Sequence, residues 1–256
     1  MLLYNLAPQV VAFSTERHAV DSSLPYDGFN ITHYTGDELL HVEKCRERLC
    51  YWLGIEQGHL VLPRQVHGVR MAEVNESSLK RYRSPHKEGL FDGVDALFTV
   101  MPRTCIGVST ADCVPILFYD RDTGAVAAAH AGWRGTVAHI AQLTVSAMSE
   151  RYGTKAAHIQ AVIGPSIGPD AFEVGDEVHQ AFSAAGFHMD DIAFRRDSRW
   201  HIDLWKSNAQ DLMDAGVPSS AISIAGLCTH TLYRRFFSAR RLGINSGRIF
   251  TGIMYK

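Results

Sequence analysis

Four short apolar runs crowd residues 96–100, 105–109, 115–119 and 125–130, and turn residues separate them. Runs this short and this apolar predict β-strands. Asp120-Arg121-Asp122-Thr123-Gly124 has the composition of a hairpin turn between the last two. Further runs at 60–62, 66–74, 159–163, 222–225 and 249–254 predict more strands. Amphipathic stretches interleave with them. In 37–53, Leu39, Val42, Leu49 and Trp52 recur at helical spacing and Gly54 is a natural residue to follow the end. Residues 136–152, stopped by Gly153, and 175–185 predict two more helices. Residues 203–215 predict another, with Asp203 as N-cap and Gly216 just beyond the end. Residues 77–89 are polar and basic with one proline, which predicts a loop. The alternation gives an α/β fold class with a mixed α+β sheet. No repeat, low-complexity tract or linker divides the chain, so residues 1–256 are read as one compact domain.

At 256 residues the chain is long enough to bury one large core. Its 46% hydrophobic and 20% charged residues exclude extensive disorder. A net charge of −2 argues against a polyanion-binding surface, so nucleic acid is not an expected partner. Five cysteines, an odd count in a chain of this size, argue against a disulfide framework and for a reducing, cytoplasmic setting. The N-terminus has no basic region and too short an apolar run for a signal peptide. No stretch is long enough to span a bilayer, so no membrane partner is expected.

Three residues able to ligate a metal stand in unusual settings. His67 lies in Arg64-Gln65-Val66-His67-Gly68, and Cys113 follows Ala111-Asp112 and precedes Val114-Pro115. His130 ends the run Val126-Ala127-Ala128-Ala129 and opens Ala131-Gly132-Trp133-Arg134-Gly135. A polar residue at a strand end before a glycine-bearing loop sits where α/β proteins place their sites. It is equally a histidine satisfied by a backbone carbonyl. A lone cysteine is ordinarily a small buried hydrophobe, and His67 by itself reads as a strand-edge residue. No close Cys-x-x-Cys or His-x-x-x-His spacing marks a structural zinc site, so both readings stand on context alone.

Metalloprotease, P-loop and dinucleotide-binding motifs are absent. Two glycine-bearing loops, Gly132-Trp133-Arg134-Gly135 and Gly164-Pro165-Ser166-Ile167-Gly168-Pro169, precede predicted helices. Free N–H groups there, with Arg134, would suit an anion; plain loop geometry is the alternative. Arg234-Arg235-Phe236-Phe237-Ser238-Ala239-Arg240-Arg241 is either a solvated charge run or a site for phosphate or a base.

Taken together, these segments resemble the YfiH/YlmD family, long labelled multicopper polyphenol oxidases or laccase-domain proteins and now regarded as zinc-dependent purine nucleoside enzymes. The resemblance runs from about Pro63 to the C-terminus. It is carried by Gln65-Val66-His67-Gly68, Asp95-Ala96-Leu97, Ala111-Asp112-Cys113-Val114-Pro115-Ile116, Ala129-His130-Ala131-Gly132-Trp133-Arg134-Gly135, Ile163-Gly164-Pro165, Phe172-Glu173-Val174-Gly175, Asp203-Leu204-Trp205 and Phe237-Ser238-Ala239-Arg240-Arg241. It implies a single α/β domain with zinc on His67, Cys113 and His130. Two imidazoles and one thiolate leave a fourth tetrahedral position open for water, as in a catalytic zinc site. The implied activities are phosphorolysis of adenosine, inosine, guanosine and S-methyl-5′-thioadenosine, and deamination of adenosine. Purine nucleosides and phosphate are therefore the expected partners.

Arg134, Arg64 and Arg240 are candidates for phosphate, and Asp112 and Glu173 for proton transfer. The chain departs from the family pattern at Ser166, where many members have cysteine. It departs again at Thr229-His230-Thr231, where a second cysteine is common, and at Ser238-Ala239-Arg240, where members read serine-tyrosine-arginine. Two rivals remain. A His-His-Cys set also suits copper, although none of the 13 histidines forms the His-x-His pairs of a multicopper oxidase. A cysteine hydrolase would use Cys113 as nucleophile and His130 as base.

Overall fold

The computed structural model describes residues 1–83 and 89–256. Two large sheets pack face to face. The first has the order β1 (Leu2–Tyr4), β2 (Val10–Ser14), β14 (Ile249–Tyr255), β6 (Cys105–Thr110), β3 (Leu60–Val61). It is antiparallel except for the parallel β3–β6 pair. The second has the order β13 (Ile222–Ile224), β9 (Ile159–Ile163), β7 (Val114–Asp120), β8 (Val126–Ala131), β5 (Ala96–Thr99), β4 (Met71–Glu73). Its two edge pairs are parallel and its centre is antiparallel. A small antiparallel sheet of β10 (Glu173–Val174), β12 (Arg199–Ile202) and β11 (Ala193–Arg196) stands apart. The fold class is the mixed α/β arrangement expected.

Period-two alternation sorts the side chains into layers. On the second sheet Leu97, Leu117, Ala128 and Val162 face the first sheet's Ala12, Ile106, Val108 and Ile253. Their neighbours Phe98, Ile116, Phe118, Ala127, Ala129 and Ile163 face helices. Those helices are α4 (Ile140–Tyr152), α5 (Asp176–Ala184) and α7 (Leu204–Asp214), which contribute Met148, Phe182 and Leu212. Helix α1 (Leu39–Leu53) covers the outer face of the first sheet, placing Cys45, Leu49 and Cys50 against Phe13, Leu60 and Phe250. The result is four layers, helix on sheet on sheet on helices. Strand β7 is buried along its whole length because both its faces are covered. Among the described residues no helix is long and apolar enough to cross a membrane.

Several boundaries differ from expectation. Residues 133–152 form two helices: α3 (Trp133–Val137) ends and α4 begins at His139, whose φ is +57°. His139 is held there by tertiary contacts, with Nδ1 2.6 Å from Asp211 Oδ1 and Nε2 3.1 Å from the Ala185 carbonyl. The strand expected over 66–74 shrinks to β4, because His67 adopts φ +63° and the chain bends away from the sheet. The loop expected over 77–89 contains helix α2 (Glu76–Tyr82). A reciprocal cap starts that helix: the Ser78 N–H donates to Asn75 Oδ1 and the Asn75 N–H to Ser78 Oγ. Residues 84–88 of that loop lie outside the described residues. On α1, Leu39 and Trp52 are exposed, and the buried stripe is Val42, Cys45, Arg46, Leu49, Cys50 and Leu53. Two short helices complete the described α-helices, α6 (Met189–Ile192) and α8 (Ala239–Leu242).

Candidate metal centre and its cavity

His130 sits near the end of β8, Cys113 in the short crossing from β6 to β7, and His67 in the loop between β3 and β4. The fold brings these distant positions together. One nitrogen of each imidazole and the Cys113 sulfur all lie within 4.8 Å of one another. The imidazole rings meet edge to face, centroids 4.8 Å apart. His130 is buried, Cys113 half-buried and His67 exposed, so the cluster opens to solvent on one side. Gly132 completes the cradle: a Cβ there would stand 3.1 Å from both the Cys113 sulfur and His67 Cδ2.

One buried carboxylate organises the cluster. Asp95, fully buried just before β5, accepts from His130 Nδ1 at 2.8 Å, which leaves Nε2 for the cluster. The same carboxylate accepts three successive backbone N–H groups, those of Val66 at 3.3 Å, His67 at 2.9 Å and Gly68 at 2.9 Å. These bonds hold His67 in its left-handed conformation, which a non-glycine residue adopts at a cost. Gln65 braces the loop further, its amide donating to the Ser109 carbonyl at 2.8 Å and accepting the Ser109 N–H at 2.8 Å.

Burial alone would push the Cys113 thiol up. The charge and hydrogen bonding of His130, with a contribution from His67, outweigh burial and bring it down to about 6. His130 responds oppositely. Burial lowers it, but the Cys113 thiolate and the Asp95 hydrogen bond raise it to about 9. Asp95 is itself held below the usual carboxylate range, because His130 and the loop N–H groups overcome its burial. An accessible thiolate beside two imidazoles, one fixed by a carboxylate behind it, has the donor chemistry of a tetrahedral metal site with an open position. The residues present therefore fit a bound zinc ion. A second group, Asp120, Asp122 and His158, also clusters. There Asp120 accepts from the Asp122 N–H and from Thr123 Oγ1, as the tight turn between β7 and β8 requires.

The centre opens into a cavity of about 410 Å³. Trp133, Ile167, Phe172 and Leu204 supply its apolar wall, and Asp112 and Arg240 its polar groups. Asp112 has φ +92°; its carboxylate accepts from Thr229 Oγ1 at 2.6 Å and from the Arg240 N–H at 2.7 Å. Both nitrogens at the Arg240 guanidinium tip donate to the Glu173 carbonyl at 3.3 Å.

The other expected residues fall outside this lining. The Glu173 carboxylate lies 3.4 Å from Arg199. Arg134 is exposed in the first turn of α3, its guanidinium 4.2 Å from the Trp133 ring, and the Gly132–Gly135 segment forms that turn instead of a loop ahead of it. Arg64 lines a different cavity. Of the C-terminal arginines only Arg240 enters the lining; Arg235 pairs with Glu16, and Arg241 stacks on Tyr233. Ser166 accepts from Trp205 Nε1 at 2.6 Å, and Ala239 lines the cavity. Sequence reasoning assigned no role to Asp95, Gln65 or Thr229. A carboxylate immediately before a buried strand was the one local signal for Asp95.

The family model described as multi-copper polyphenol oxidoreductase laccase matches residues 11–256. A protein named adenosine deaminase RL5, from an unknown prokaryotic organism, is 47% identical over 96% of this chain and 94% of its own length. A purine nucleoside phosphorylase of Bacteroides thetaiotaomicron is 43% identical over 94% of this chain and 90% of its own. The crystal structure of the Bacillus licheniformis hypothetical protein YfiH superposes with a TM-score of 0.92 at 30% identity, covering 99% of this chain and 96% of that one. With a family match over nearly its whole length and a shared fold, the chain belongs to the laccase-like YfiH family.

Proposed function

We propose that this chain is a zinc-dependent purine nucleoside enzyme that cleaves nucleosides with phosphate and deaminates adenosine. The observation that carries the reading is the His67, Cys113 and His130 cluster opening into a cavity with aromatic walls and one arginine. The names of the relatives, a deaminase and a phosphorylase, support it. Zinc, when bound, supplies the Lewis acidity that hydrolytic deamination needs. Trp133 and Phe172 offer apolar ring faces on which a planar purine can lie. Arg240, fixed on the Glu173 carbonyl, retains donor capacity toward phosphate and is the anion residue of choice. Asp112 lines the cavity and is preferred over Glu173 for moving a proton to or from the purine. Adenosine, inosine, guanosine and S-methyl-5′-thioadenosine are the proposed phosphorolysis substrates.

The test is product chromatography after incubation of each nucleoside with and without phosphate, alongside metal analysis of protein grown with zinc and copper both present. Free base formed only with phosphate, inosine formed from adenosine, and about one zinc per chain are expected. Zinc-loaded protein that leaves every nucleoside unchanged would overturn the reading. Stoichiometric copper would move the site to redox chemistry.

One observation favours a second reading. Cys113, His130 and Asp95 also line up as thiolate, imidazole and orienting carboxylate, the order of a cysteine hydrolase triad. Rapid labelling of Cys113 by a thiol-directed electrophile, at the same rate with and without chelator, would select that reading. Protection by zinc that chelator relieves would select the metal centre.

A further inference from the structure

Arg46 lies on the buried face of α1 and is only 6% exposed. Among the described residues its guanidinium makes one hydrogen bond, from Nη1 to the Ile31 carbonyl at 3.3 Å, and no ion pair. Arginine remains charged at any pH at which proteins stay folded, so burial cannot neutralise it. A buried charge is ordinarily kept only where it is paired or fully hydrogen-bonded. Arg46 lines a cavity of about 300 Å³ together with Arg64 and His33. Among the described residues the nearby carboxylates are used elsewhere or held loosely: Glu43 lies 3.3 Å from His33, and the half-exposed Asp92 is 4.0 Å from Arg64. The rest of the described wall is largely apolar and aromatic, including Tyr34, Leu62 and Phe91. A volume of this size suits a small molecule.

From this we infer a second ligand site, in which Arg46 and Arg64 together bind the anionic head of a small aromatic carboxylate or phosphate ester whose ring lies against Tyr34 and Phe91. The site goes beyond the proposed nucleoside chemistry and does not depend on it. It gives Arg64 an anion to hold in a cavity other than the one containing Arg240. The cavity wall also touches the loop of the metal centre, since the Tyr34 hydroxyl stands 3.3 Å from Gln65 Oε1.

Benzoate and phenyl phosphate titrated calorimetrically into the full chain test the site, with Arg46→Met, Arg64→Ala and Arg240→Ala alongside. One of the probes should bind the wild type, weaken at least tenfold in both Arg46→Met and Arg64→Ala, and stay within twofold in Arg240→Ala. The tighter probe identifies the head group as carboxylate or phosphate. Without ligand, Arg46→Met should melt about 2–4 °C higher, because an unpaired buried charge gives way to an apolar chain of similar length. Arg64 is exposed, so its variant leaves the core intact and keeps the test decisive even if Arg46→Met folds poorly. Absence of binding by both probes at millimolar concentration would overturn the inference. So would binding that only Arg240→Ala weakens, which would assign the anion to the other cavity and leave the nucleoside reading standing. Nucleoside turnover is not the readout, so failure of that reading would be seen separately.

Discussion

Replacing Asp95 with asparagine removes one acceptor oxygen and changes little else in size. Oδ1 accepts from His130 Nδ1 at 2.8 Å and from the His67 N–H at 2.9 Å; Oδ2 accepts from the Gly68 N–H at 2.9 Å and the Val66 N–H at 3.3 Å. An amide can satisfy only one of these pairs, and its NH₂ group must then face the other two donors. The cheaper orientation keeps His130 and His67 and gives up Gly68 and the longer Val66 contact. One sound bond to a charged acceptor and one weak bond are lost, a cost of about 2–4 kcal/mol in stability. The loop that holds His67 at φ +63° loses two of its three N–H anchors, and zinc affinity should fall about 10–100-fold. Urea unfolding of the metal-free protein reads the first effect. Competition against a chromophoric chelator reads the second, and the visible spectrum of the cobalt-substituted protein reports the ligand geometry. Zinc affinity within twofold of wild type, with stability lowered as expected, would refute the positioning role and leave Asp95 a purely structural brace. No change in either quantity would refute the hydrogen-bond reasoning altogether.

His67→Ala, Cys113→Ala and His130→Ala should each cut zinc content well below about one per chain, measured by metal analysis after gel filtration; full content in all three would remove the proposed centre. Cys45→Ala and Cys50→Ala, on the buried face of α1 and remote from the cavity lining, should keep turnover within twofold and cost about 1 kcal/mol in denaturant unfolding. A large loss of turnover in a folded variant would show that the site is misplaced. Burial pushes the Glu73 carboxyl up, but hydrogen bonds from Arg151, Asn75 and Tyr152 outweigh this and hold it below the usual range. Its stabilisation is therefore complete above the unfolded carboxylate pKa and lost as pH falls through the lower folded value. Glu73→Gln should melt below wild type at pH 7 by an amount equivalent to about 1 kcal/mol, and the gap should close below about pH 4. A gap constant from pH 7 to pH 3 would count against the linkage.

The central strands were legible because their signal is local. The four runs between residues 96 and 130 became β5, β6, β7 and β8, and the expected turn at 120–124 joins the last two as an antiparallel pair. Helices α5 and α7 were legible for the same reason, with Asp203 accepting the Lys206 N–H as an N-cap should. What escaped was set by distant contacts. Apolar periodicity runs on through residues 136–152 and carries no mark of the break at His139, which depends on Asp211 and Ala185. The strand expected over 66–74 ignored the pull of Asp95 on three N–H groups. Strand β1 was read only as part of an N-terminus without a signal peptide and β2 was not read at all, although β2 pairs along β14 at the other end of the chain. Helix α2 did carry a local mark, Asn75 three residues before Ser78, which its polar composition obscured.

The candidate site divides the same way. His67, Cys113 and His130 each left two readings open by local setting and were joined as one ligand set only by the family resemblance; the fold brings the three together. The arginines carry no local mark either, since a guanidinium on a long flexible stem can reach in several directions from one backbone position. Arg240 enters the cavity because its backbone N–H docks on Asp112 and its tip on the Glu173 carbonyl. Arg134 is only four residues from His130, yet it leaves the cavity and stacks on Trp133, because the turn of α3 carries it to the exposed side. Arg64 is three residues from His67, yet its backbone pairs with residues 91–93, its N–H donating to the Phe91 carbonyl at 3.2 Å, which puts it on the wall shared with Arg46. Proximity in sequence to a proposed ligand is therefore a poor guide to which arginine lines the cavity. For Arg240 the deciding carboxylate is Asp112, which fixes its backbone N–H at 2.7 Å.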